Sequence, residues 1–432
     1  MTIAITADWE HLEEGSPAER ACFAAIGIKV GDTWLTEAED AFVKRIRQQV
    51  HLSAYRLAEW LAWNWWRLKW EPRGVKRVDW TSAHQLTSAG GGYVWPNLTF
   101  FSDGERMALI SRATTRRNYE PLRYLTERMA VVGVTDFVVA VDRFIEQVLG
   151  QLSAESIEST NLAVIWNEVL EERAESDSSR WRQVEALLGY EPGDAPEDAV
   201  KSIIEGGAAV GVDGFTELAA ARKDGENVPN LMRLQSIAAA QGISSKPTDV
   251  VRLPGEFGPA SNVPAWRGGA AAARALRKQE NLGDGRLSSV RLTSLSGVGS
   301  EIILQPGPGP SFSFALDDSE ASGHVVLRKT DWQTNRRFEV ARILGDRIFS
   351  QKESLLPATR AQTYRQKWQR AFAAELLCPA ESLIDMVDGD VSPESIESAA
   401  EEFEVAELVV KSLLADHELL DHDSIEASAE AA

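Results

Sequence analysis

Nine of the fourteen tryptophans lie at or before residue 95: Trp9, Trp34, Trp60, Trp63, Trp65, Trp66, Trp70, Trp80 and Trp95. Rings of that size bury a large apolar area when packed together, so residues 1–150 are expected to build an aromatic core of their own. At 432 residues the chain is too long for one such core and is expected to hold two or three domains. Residues 37–68 read as one or two helices, because Phe42, Ile46, Val50, Leu57, Trp60 and Leu61 recur at helical spacing. Residues 93–101 and 106–111, around the turn Ser102-Asp103-Gly104-Glu105, read as a β-hairpin. Gly90-Gly91-Gly92 lacks the Gly-Lys-Ser/Thr ending of a phosphate loop and reads as a turn.

Basic residues are interleaved with these aromatics, and five of them, Arg67, Lys69, Arg73, Arg116 and Arg117, are candidate nucleic-acid contacts. Stacking rings beside cations suit single-stranded DNA or RNA. The competing reading places Trp inside and Arg outside an ordinary domain, and the helical spacing favours it. Charge bears on the same question. Residues 380–432 carry 16 acidic residues and one basic residue, Lys411, which is −15 of the chain's net −20. That region disfavours phosphate binding, which depends on Lys and Arg releasing counterions. It reads either as a solvated helical face with an acidic tail over 423–432 or as a surface facing a basic protein.

Further along, residues 151–241 are helical in pattern, with Leu162, Ile165, Trp166 and Leu170 on one face. Residues 242–264, which contain Pro247, Pro254, Pro259 and Pro264, read as a linker. Residues 301–305, 311–316 and 324–330 read as short strands, with the loop Pro306-Gly307-Pro308-Gly309-Pro310 between the first two. The class expected from these patterns is α+β, mostly helical, with a small antiparallel sheet in the C-terminal half. No apolar run is long enough to span a bilayer, no signal-peptide pattern opens the chain, and Cys22 and Cys378 form no disulfide framework. A cytoplasmic setting without membrane association is expected.

The most specific signal is the run Arg-Arg-Phe-Glu-Val-Ala-Arg-Ile-Leu-Gly-Asp over residues 336–346. It is followed by Phe372-Ala373-Ala374-Glu375-Leu376-Leu377-Cys378-Pro379 and preceded by Ala265-Trp266-Arg267-Gly268-Gly269. Together these blocks resemble, in order, the domain of the ImmA/IrrE-like zinc metallopeptidases over residues 265–422, with residues 392–414 as its closing helical pair. The resemblance implies a zincin-like fold, in which a His-Glu-x-x-His helix aims two imidazoles at zinc while the Glu activates water. Here those three positions hold Arg342, Ile343 and Asp346. The stretch where the family carries its third ligand, a Glu, reads Arg365-Gln366-Lys367-Trp368-Gln369-Arg370.

Arginine cannot shed its proton to become a ligand and isoleucine cannot act as a base, so the resemblance implies a degenerate site with no metal and no cofactor. Arg342 and Asp346, four apart, are expected to pair with each other and to line a vestigial groove together with Gln366. Members with intact sites cleave regulatory proteins in stress and mobile-element control. The function expected is therefore a non-catalytic protein-recognition or scaffold subunit, with phage defence as a related setting. A nucleic-acid-binding role for the N-terminal domain and an active peptidase with an unconventional site remain as alternatives. His417-Glu418-Leu419-Leu420-Asp421-His422 has poor zinc spacing and reads as surface charge.

Overall fold

A computed structural model describes residues 2–73, 79–115, 121–223, 225–255, 257–259, 263–319 and 321–420. The fold is α+β and mostly helical, 50% helix and 17% strand, with small antiparallel sheets. The chain forms two compact units, Met1–Lys201 with Arg222–Glu226, and Ser202–Ala221 with Asn227–Ala432. Among the described residues no helix is long and apolar enough to cross a membrane.

In the N-terminal unit, strand Phe23–Val30 pairs antiparallel with Ile3–Trp9 on one side and with Val50–Ser53 on the other. Ser53 ends that last strand and caps helix Ala54–Trp63 by accepting from the Arg56 N–H. Asn64 then separates this helix from helix Trp65–Trp70, its side chain donating to the Trp60 carbonyl. The break lets Trp65 and Trp66 meet edge to face, their centroids 4.7 Å apart, in a core that also takes in Trp60, Trp95 and Trp166. Helix Val134–Ala154 adds Phe137, Val141, Phe144, Ile145 and Val148 to that core, one turn after another. The expected hairpin forms from Asn97–Ser102 and Arg106–Arg112, with Arg128–Gly133 as its third strand.

The expected helix over residues 37–50 does not form. That stretch is a β-hairpin, Ala38–Asp40 against Arg45–Arg47. Its turn is set by Asp40, whose Oδ1 accepts from the N–H groups of Phe42 and Val43, and by Lys44 in the left-handed region at φ 51°. Phe42, the first residue of the expected helical spacing, stands 84% exposed at the tip.

In the C-terminal unit a four-stranded antiparallel sheet runs in the order Ile243–Ser245, Gly323–Val326, Ser313–Asp317, Leu355–Ala358. The first strand lies in the expected linker, where Val250 and Leu253 are also buried, so residues 242–253 are part of the fold. Residues 301–304, expected as a strand, make a short helix. Helices Ala265–Gln279, Gln333–Phe349 and Tyr364–Leu377 pack closely because small residues face large ones. A Cβ on Gly269 would lie 2.3 Å from the Trp368 carbonyl oxygen, and one on Gly345 would lie 2.6 Å from the Phe372 ring. Helices Ala380–Val387, Pro393–Phe403 and Glu407–Asp416 complete the unit, the second capped by Ser392.

Candidate functional site

Two helices and one strand bring the expected site residues of the C-terminal unit together. Helix Gln333–Phe349 presents Arg342 and Asp346 one turn apart on one face. Helix Tyr364–Leu377 starts at Thr363, whose hydroxyl accepts from the Gln366 N–H, and this cap turns Arg365, Gln366 and Gln369 inward. The third wall is the edge strand Leu355–Ala358 and its continuation to Thr359.

Arg342 does not pair with Asp346. Its Nη2 donates to the Thr359 carbonyl and to Gln366 Oε1, both at 2.7 Å. The carboxamide of Gln366 bridges the strand edge: Oε1 accepts from the Thr359 N–H at 2.7 Å and Nε2 donates to the Pro357 carbonyl at 2.8 Å. A neighbouring strand would offer the edge the same pair of bonds, one donor and one acceptor to alternate residues. Gln369 Nε2 adds a second bond to Pro357 at 3.2 Å. The strand edge is therefore closed by side chains.

Asp346, fully buried, is gripped by the Arg365 fork, with Nε to Oδ1 and Nη2 to Oδ2 both at 2.7 Å. The remaining Arg365 nitrogen, Nη1, donates to Glu353 at 2.8 Å. Burial works against the Arg365 charge, but Asp346 and Glu353 outweigh it and raise its pKa above the ordinary value. Burial lowers the pKa of Arg342, with Glu339 and Asp346 opposing that shift. Glu217, from helix Val212–Ala220, reaches the same cluster and accepts from the Thr363 hydroxyl at 2.6 Å. Burial pushes its carboxyl up to about 7, against the pull of Arg365.

These residues do not fit a zinc ion. Arg342 has no lone pair to give, Ile343 is a buried hydrocarbon, and Asp346 spends both oxygens on Arg365. Among the described residues no group of three His, Cys, Asp or Glu side chains is placed to hold a metal. Arg342, Asp346 and Gln366 are at most 5% exposed, so they line no open groove. A depression of about 390 Å³ in this unit lies elsewhere, walled by Arg274, Lys278, Asp284, Glu375 and Glu381. His417 and Glu418 are exposed at the end of the last helix, and Asp421 and His422 lie outside the described residues.

The basic candidates of the N-terminal unit are also engaged internally. Arg67, expected on a nucleic-acid surface, is fully buried and bonded to Glu71 at 2.7 Å, Glu191 at 2.5 Å and Asp79 at 3.1 Å. His84 joins them, with Nε2 at 3.1 Å from Glu71 and Nδ1 at 2.8 Å from the Phe100 carbonyl. Lys69 is half-buried over the Trp65 and Trp70 rings, and Arg73 lies over Phe101. Arg116 and Arg117 lie outside the described residues.

Sequence reasoning missed Glu217, Glu353, Thr359 and Thr363. Glu217 lies 146 residues from Thr363, and Glu353 and Thr359 carry no local pattern that marks them; Thr363 was the one legible residue, a helix N-cap three residues before Gln366. Comparison with known proteins finds no matching family model, no matching curated protein and no matching solved structure.

Proposed function

We propose that this chain is a non-catalytic metallopeptidase homologue that serves as a protein-recognition or regulatory subunit. One observation carries the reading: the positions that the resemblance assigns to the zinc helix hold Arg342, Ile343 and Asp346, and the polar groups there are bonded within the protein, Arg342 to Gln366 and Thr359 and Asp346 to Arg365. Their chemistry is that of a structural network. Loss of ligands and base together supports a non-catalytic role over hydrolysis.

The test is affinity purification of the tagged full chain at moderate salt, with zinc analysis, protein mass spectrometry and sequencing of bound nucleic acid on one preparation. A stoichiometric protein partner with substoichiometric zinc is expected. Stoichiometric zinc with peptide cleavage that is lost in Asp346→Asn would overturn the proposal. Nucleic acid without a protein partner would transfer the function to the N-terminal unit.

A further inference from the structure

Trp63 ends helix Ala54–Trp63 and stands 55% exposed, whereas the other tryptophans at or before residue 95 are buried or half-buried. Its ring face is left to solvent, and its indole N–H makes no hydrogen bond among the described residues. The ring borders a depression of about 290 Å³ that this helix forms with helix Asn161–Ala174. Trp60 and Ile165 are further apolar walls, and Glu59, Asn64 and Asn161 are polar ones.

The polar walls differ in what they have left to offer. Arg56, also at the depression, donates from Nη1 to Glu59 Oε2 at 3.2 Å and from Nε to Glu19 Oε1 at 3.0 Å, and Glu59 Oε1 accepts from the Tyr55 hydroxyl at 3.1 Å. These charges are matched within the protein. Asn64 is not. It stands at the start of helix Trp65–Trp70, where an asparagine side chain ordinarily accepts from a backbone N–H, yet it makes no such bond. Its Nδ2 donates instead to the Trp60 carbonyl at 2.8 Å. That bond fixes which way the amide faces and leaves Oδ1 without a protein partner, on a residue only 5% exposed. An acceptor so nearly buried is satisfied from the depression it lines, by water or by a ligand. The Asn161 side chain, exposed at the rim, likewise makes no hydrogen bond among the described residues.

We propose that this depression binds a neutral sugar ring, stacked on Trp63 and hydrogen-bonded to Asn64 and Asn161. A pyranose carries hydrocarbon on its faces and hydroxyls around its edge, so a face can lie on the indole while the edge meets the amides. A hydroxyl is a neutral group that donates and accepts at once. It therefore suits Asn64 Oδ1, which only accepts, and the Asn161 amide, which does both. A nucleotide fits less well, because the cation at the depression, Arg56, already faces two carboxylates and is not free to meet a phosphate. The inference stands independently of the function proposed above, which rests on residues of the other unit.

Saturation-transfer NMR on the full chain tests it, with glucose, galactose, mannose and N-acetylglucosamine as probes and adenosine and cytidine beside them. At least one sugar should receive saturation, strongest on the protons of one ring face. Its affinity should be about millimolar, as suits a ligand of about a dozen heavy atoms. Trp63 is an exposed side chain, so Trp63→Ala should keep the unfolding temperature within about 2 °C of the parent. The same variant should weaken the sugar about two- to tenfold, the loss of one stacking face. Asn161→Ala, at the rim, should weaken it by a similar factor, about two- to tenfold, through one lost hydrogen bond. Equal affinity in the parent and both variants would overturn the proposal. So would the absence of saturation in all four sugars at concentrations well above millimolar. Saturation of the nucleosides alone would assign the depression to a base and overturn the sugar reading as well.

Discussion

Replacing Asp346 by Asn keeps the shape of the side chain and removes its charge from a fully buried position. Arg365, 5% exposed, then has Glu353 as its bonded carboxylate, with Glu217 nearby. It also faces an amide that can accept from only one arm of its fork. Breaking a buried ion pair by removing one partner typically costs 3–5 kcal/mol. The surviving Glu353 contact argues for the lower end, about 3 kcal/mol. For a unit of this size that corresponds to a fall of about 6–12 °C in its unfolding temperature. Calorimetry of the full chain should show the loss in one transition only, because Arg67, Trp60 and the aromatic core belong to the other unit. A fall of less than about 1 °C would mean that Asp346 is not the charge holding Arg365, and the network argument would fail with it.

Glu217 has its carboxyl raised from 4.5 to about 7, so the folded state holds a proton that the unfolded state releases. Its contribution is therefore present in full below pH 4.5 and is lost as pH rises toward 7, by about 3 kcal/mol at most. Unfolding temperatures at pH 5.5 and pH 7.5 should converge in Glu217→Gln relative to the parent; an unchanged slope refutes the assignment. Arg67→Met should destabilise the N-terminal unit by about 3–5 kcal/mol, because it takes from the buried Glu71 the guanidinium bonded to it, with no selective effect on oligonucleotide affinity. Loss of oligonucleotide binding in a variant of unaltered stability would instead make Arg67 a nucleic-acid contact. Gly269→Val should disrupt packing between helices Ala265–Gln279 and Tyr364–Leu377 by more than about 3 kcal/mol, measured by urea unfolding, because its Cβ would overlap a backbone oxygen.

What could be read in advance follows from how local each signal is. Helices Ala54–Trp63, Gln333–Phe349 and Tyr364–Leu377 and the hairpin Asn97–Ser102 with Arg106–Arg112 all carry their pattern within their own residues. The stretch 37–50 misled because Phe42, Ile46 and Val50 are spaced by four, while the Asp40 side chain and the left-handed Lys44 that make the turn leave only faint marks. Residues 301–305 were ambiguous because a short apolar run suits a strand and a buried helical turn equally. At the site, the sequence pointed to Arg342, Asp346 and Gln366. It could not say which partner each would choose, since the i, i+4 geometry of Arg342 and Asp346 competes with acceptors and donors from another helix and a strand.

That competition separates the two halves of the cluster energetically, and paired replacements expose the difference. Asp346 and Arg365 mainly satisfy each other, so changing both to apolar residues of similar volume, Asp346→Leu with Arg365→Met, removes donors and acceptors together. Such swaps are often neutral or stabilising. Glu353 and Glu217 would lose a cation, which sets the expected change at no more than about 1–2 kcal/mol unfavourable. Arg342 and Gln366 satisfy the backbone as well as each other: the Pro357 and Thr359 carbonyls and the Thr359 N–H depend on them. Arg342→Met with Gln366→Leu leaves those groups buried with no alternative except the Gln369 contact to Pro357. At about 1–3 kcal/mol for each unsatisfied group, the loss should be at least twice that of the first pair. Urea unfolding of the two double variants and their four single parents measures both. Equal losses would show that the strand edge finds other partners, and that Gln366 does not stand in for a missing strand.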